Sequence, residues 1–143
     1  MDEAPTPKTD AEALSLCHRL LTKAEYELRL SRASASSLSD SVFAQPMSIK
    51  SGLERVAQYP AFQFYASLDL KMFGVLRATF QTNGYSDLDR WNFLRTAQTA
   101  LGGMTAAECL LGHHAAEVAE LTKNDRDEVL LDLVQEELWR LQQ

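Results

Sequence analysis

Glu108, Cys109, His113 and His114 fall within seven residues of one another and are of the types that ligate a metal ion or move a proton. A structural zinc site needs a second ligand pair at a matching spacing, and the 143-residue chain offers none, so no metal is expected. No glycine-rich phosphate loop, GxSxG elbow or HExxH helix occurs. The carboxylates Asp125, Asp127, Glu128, Asp132, Glu136 and Glu137 fit the solvated face of an amphipathic helix. Cys17 and Cys109 lie far apart among aliphatic neighbours, which suits buried free thiols better than a disulfide. The expectation is a chain that is not an enzyme, has no catalytic residues and takes no cofactor.

Binding chemistry is better represented. The net charge of −6 argues against holding nucleic acid by bulk electrostatics, but the charge is unevenly placed. From Ser15 to Gln58 the basic residues are Arg19, Lys23, Arg29, Arg32, Lys50 and Arg55 against four acids, whereas from Tyr59 onward seven bases face twelve acids. The first part could meet DNA and the second a protein. Arg32, Ser34, Ser36, Ser37 and Lys50 are the candidate DNA contacts, since hydroxyls and cations reach phosphates and base edges from a recognition helix. Serines equally coat exposed helices. Trp91 and Phe93 are of the type that anchors interfaces, although core packing is the commoner use and is expected for Trp91.

The elements that must position these residues read as helices with one hairpin. The acidic, proline-bearing residues 1–9 are expected to be a mobile arm and not a signal peptide, and no apolar run is long enough to span a bilayer, which points to a cytoplasmic protein. Thr9-Asp10-Ala11-Glu12 and Thr22-Lys23-Ala24-Glu25 are capping-box sequences, opening a helix through Leu20-Leu21 and a second one ending near Leu30. The stretch 34–44 has an apolar stripe with Leu38 and Val42, giving 10–58 the outline of a helix-turn-helix. Met47–Lys50 and Glu54–Gln58 flank Ser51-Gly52 and predict a β-hairpin. Tyr59-Pro60-Ala61-Phe62-Gln63-Phe64-Tyr65 cannot be a continuous helix through Pro60 and is expected to wedge an extended strut into the core.

Further helices are expected from Ser67 to Asn83-Gly84, from Ser86 or Asp87 to the bend at Leu101-Gly102-Gly103, from Thr105-Ala106-Ala107-Glu108 with a break at Gly112, and from Asn124 to the end. In the last one Val129, Leu130, Leu133, Val134, Leu138 and Leu141 form a stripe with Trp139 at its edge. Such a stripe suits an intramolecular core, a homodimer seam or a partner groove, with self-association favoured. The fold expected is mainly α, a small helical bundle with an N-terminal helix-turn-helix-like unit and one short β-hairpin.

The Tyr59–Phe64 tract, Trp91 and Phe93-Leu94 about thirty residues on, and then Ala100-Leu101-Gly102-Gly103-Met104-Thr105-Ala106-Ala107-Glu108 together resemble the toxin-binding domain of Xre/MbcA/ParS-type antitoxins. Ala106 stands where that family commonly has proline, a tolerable exchange at the first turn of a helix. The resemblance covers 59–121, is weaker over the helix-turn-helix-like part and does not extend to the arm or to 122–143. It implies that Trp91, Leu101, Gly102, Gly103, Thr105 and Glu108 belong to a toxin-binding site, that the partner is a cognate toxin, commonly of the NAD-consuming RES type or a related ADP-ribosyl-type enzyme, and that the N-terminal part binds the operon's own promoter DNA. A stand-alone DNA-binding regulator without a toxin is the alternative. Residues 122–143 are left for dimerisation or partner contact.

Overall fold

Thr22 opens a helix by the reciprocal bonding its sequence suggests: the Glu25 amide donates to Thr22 Oγ1 (3.2 Å) and the Thr22 amide donates to Glu25 Oε1 (3.0 Å). In the computed structural model, which describes residues 19–32, 46–51, 56–65 and 67–143, this helix is α1, Lys23–Arg32. Just before it, Leu20–Leu21 form strand β1. That corrects the expectation that these leucines continue a first helix: their backbones pair with Pro60 and Tyr59, far along the chain, which local periodicity cannot register.

The hairpin is present. Strand β2 (Ile49–Ser51) pairs antiparallel with β3 (Val56–Pro60) in the register Ile49↔Gln58, Lys50↔Ala57, Ser51↔Val56. On its other edge β3 pairs with β1 through Leu20↔Pro60 and Leu21↔Tyr59, giving the order β1-β3-β2. The aromatic tract is extended only to Pro60, the end of β3, and then turns into a 3-10 helix, Ala61–Phe64, every residue of which is buried, which corrects the expected extended strut while keeping its place in the core.

Helix α2 (Leu70–Thr82) is capped by Asp69, whose Oδ1 accepts the Met72 amide at 3.1 Å; Ser67, the expected cap, lies two residues too early. It ends at Asn83, with Gly84 at φ +83°. Helix α3 (Asp87–Leu94) starts from a complete capping box between Ser86 and Asp89. A 3-10 turn, Thr99–Leu101, follows, then α4 (Ala106–Leu110), the single-turn α5 (Ala116–Ala119) and α6 (Lys123–Leu141). Thr122, not Asn124, caps α6 by accepting the Asp125 amide at 3.2 Å.

The described part is thus mainly helical with a three-stranded antiparallel sheet. Phe62 sits at the centre, stacked on Trp91 (6.0 Å between ring centroids) and edge-on to Phe73 (5.7 Å), and Phe80 meets Phe93 at 5.9 Å. Leu130, Leu133, Val134 and Leu138 of α6 join this same core, so this part of the apolar stripe is used inside the chain, with Val129 and Leu141 partly buried against it. Trp139 stays 65% exposed. Residues 33–45, which carry the whole of the expected 34–44 helix of the helix-turn-helix, the arm 1–9, the start of the expected first helix with Cys17, and Gly52 of the expected hairpin turn lie outside the described residues. Among the described residues no helix is long and apolar enough to cross a membrane.

Candidate functional site

Two glycines in succession need a physical reason, and the segment from Gln98 to Thr105 supplies it. The Leu101 amide donates to Gln98 O and the Gly102 amide to Thr99 O, both at 3.0 Å. The Gly103 amide returns to Gln98 O at 2.9 Å, the Gln98 amide donates to Met104 O at 3.0 Å, and Ala97 bridges to Thr105. Closing the loop in so few residues drives Gly102 to φ +68° and Gly103 to φ +87°, a region that costs a side-chain-bearing residue free energy. Gly102 is constrained twice: a Cβ there would stand 2.5 Å from Ala115 Cβ and 2.9 Å from Glu117 Oε1, whereas a Cβ on Gly103 would meet nothing within 4 Å. Both glycines are exposed, and Leu101, buried between them and the core, fixes the turn in place.

The string continues into α4. The Thr105 amide donates to Glu108 Oε1 (2.9 Å), the Glu108 amide donates to Thr105 Oγ1 (3.1 Å), and the Thr105 hydroxyl donates to Glu108 Oε1 (3.0 Å), all buried. Ala106 is the first residue of α4, the position where proline is favoured yet replaceable. Of the six residues expected at a toxin interface, Gly102 and Gly103 reach the surface. Trp91, Leu101, Thr105 and Glu108 are buried, so their part is to build and hold the turn. Trp91 is core, as its sequence context suggested, with the Arg95 guanidinium 5.7 Å over its outer face.

Of the expected DNA contacts, Lys50 is exposed on β2, an edge strand of the sheet, and Arg32 is the last residue of α1. Ser34, Ser36 and Ser37 lie outside the described residues.

Around His113 and His114, among the described residues no three His, Cys, Asp or Glu side chains converge as metal ligands would. The His113 amide closes the end of α4 by donating to Glu108 O at 3.0 Å. Burial, the Arg126 charge and His113 push the His114 imidazole below its ordinary pKa, favouring the neutral ring. Burial, aided by Glu108, pushes the Cys109 thiol up to about 12, which leaves it protonated and unreactive.

Sequence reasoning missed Gln63. Its carboxamide is buried and fully bonded: Oε1 accepts the Met47 amide at 2.7 Å, and Nε2 donates to Met47 O (2.9 Å) and Pro60 O (3.0 Å). It clamps the chain entering β2 to the 3-10 helix, and the available signal was a lone amide inside a run of aromatics. Arg90 was missed too. Only 1% exposed, it lies 5.1 Å over the Phe73 ring, its Nε donates to Met47 Sδ, and Asp87 stands 3.4 Å from Nη2. Comparison of the chain with protein-family models, with curated proteins and with solved structures returns no match.

Proposed function

We propose that the chain is the antitoxin of a type II toxin–antitoxin pair, binding and neutralising a cognate toxin through the unit that runs from Tyr59 to Leu121. The observation that carries the reading is the combination of an outward-facing Gly102-Gly103 turn with the buried residues that hold it, in the string that resembles the Xre/MbcA/ParS toxin-binding domain. A backbone turn closed by its own hydrogen bonds presents a preformed surface, and a partner that docks there pays little ordering entropy. The toxin is of the RES or a related ADP-ribosyl-type class, and the reaction chemistry belongs to it. Autoregulation follows the same resemblance: the helix-turn-helix-like residues 10–58 bind the operon's promoter, with Arg32, Ser34, Ser36, Ser37 and Lys50 as contacts.

Co-expression with the product of the neighbouring gene tests this. A complex recovered by affinity pull-down, together with restored growth, is the expected result. A promoter shift with salt-sensitive affinity, in a protein that neither holds the neighbour nor relieves its toxicity, would replace the reading with a stand-alone DNA-binding regulator.

A further inference from the structure

A cavity of about 170 Å³ lies behind the glycine turn, bounded by the lead-in to α2 (Ser67, Asp69), the end of α4 (Cys109, Leu110), Val118 of α5 and the first two turns of α6. A cavity of about 150 Å³ takes a guest of benzene size, so the space suits a molecule of about six heavy atoms. Its apolar walls are Leu101, Leu110, Val118 and Leu130. Its polar groups are unequal in charge balance. Lys123 Nζ is held at 2.8 Å by Asp69 Oδ2 and at 2.8 Å by Asp127 Oδ2, so its charge is spent within the chain. Arg126 donates from Nη1 to Leu121 O at 2.6 Å and, among the described residues, has no carboxylate partner, which leaves Nε and Nη2 to a ligand. The same guanidinium acts on both His114 and Cys109 across the cavity. Ser67 Oγ and His114 Nδ1, from two of the lining residues, are buried with no hydrogen-bond partner among the described residues, an arrangement folded chains rarely leave unanswered.

We propose that this cavity is a binding site for a short aliphatic carboxylate, its head taken by the Arg126 fork with Ser67 and His114 as further polar partners, and its tail lying against Leu101, Leu110, Val118 and Leu130. Arg126 supplies the charge and the planar donors, and the four aliphatic walls set the tail length. The site does not depend on the antitoxin reading, and its test uses the isolated chain.

The probe is butyrate, titrated into the full chain while the His114 ring resonances are followed by NMR, with butanol as the uncharged counterpart of the same length. The expected result is saturable, millimolar binding of butyrate, a response to butanol weaker by about ten- to hundredfold, and a loss of about the same size in Arg126→Gln, the range of one charge-assisted hydrogen bond. Arg126→Lys keeps the charge without the fork; it serves as the second variant if Arg126→Gln fails to fold, and weakened binding is again expected. Non-saturating shifts, equal binding of butyrate and butanol, or unaltered butyrate affinity in a folded Arg126 variant overturns the proposal.

Discussion

Adding a single methyl group at Gly102 separates two physical causes that act on the glycine turn. In Gly102→Ala the new Cβ must adopt φ +68°, costing about 1–2 kcal/mol, as for any L-residue in the left-handed region. It must also occupy space 2.5 Å from Ala115 Cβ, an atom one bond from the backbone that no rotamer change can move. Overpacking of that kind adds about 1–3 kcal/mol, for a total of roughly 2–5 kcal/mol. Gly103→Ala is the internal control: φ is +87°, nothing stands within 4 Å of its Cβ, and the backbone cost of about 1–2 kcal/mol acts alone. Urea denaturation followed by the fluorescence of buried Trp91 and exposed Trp139 reads both variants, and a lowered midpoint at unchanged slope converts to the stability difference. The expected order is wild type, then Gly103→Ala, then Gly102→Ala, with about 1–3 kcal/mol between the two variants. If the two agree within about 0.5 kcal/mol, the close approach of Ala115 does not limit the turn and the reasoning is refuted.

Three further outcomes are expected. Trp91→Ala, which empties the place beside Phe62, costs about 3–5 kcal/mol in urea denaturation followed by far-ultraviolet circular dichroism, while Trp139→Ala stays within about 0.5 kcal/mol because its ring is largely in water. For His114 the folded pKa lies below the ordinary 6.5, so above pH 6.5 both folded and unfolded states are neutral there. As pH falls through 6.5 the unfolded chain takes up the proton first and stability declines, levelling off below the folded pKa; melting temperatures of His114→Asn between pH 7.5 and 5 should lack this component. Arg90→Met is expected to destabilise in chemical denaturation, because it takes the cation from Asp87 and from the Phe73 ring, but by less than the about 3–5 kcal/mol of breaking a fully buried pair, since Asp87 is partly exposed and keeps the Ser48 amide.

What the sequence determined by itself is local. The capping boxes at Thr22, Ser86 and Thr105 lie within four residues of chain, and the hydroxyl–amide bonds they encode form in any context that starts a helix there. The Asn83-Gly84 stop, the break at Gly112 and the pairing of Ile49–Ser51 with Val56–Gln58 are likewise consequences of backbone freedom and short-range pairing. The candidate turn at Leu101-Gly102-Gly103 was legible as a bend for the same reason. Tertiary structure decided the rest. Leu20–Leu21 have helical periodicity but become a strand because β3 offers an edge far along the chain. The α6 stripe has the pattern of a dimer seam, yet its leucines and valine fill the core that Phe62, Phe73 and Trp91 begin, and no periodicity distinguishes burial within a chain from burial between chains. The division of the six candidate residues into two exposed glycines and four buried supports, and the meeting of Arg126, His114 and Ser67 around one cavity, depend on how α2, α4, α5 and α6 approach one another, because burial and long-range proximity are properties of the packed chain and of no single stretch of it.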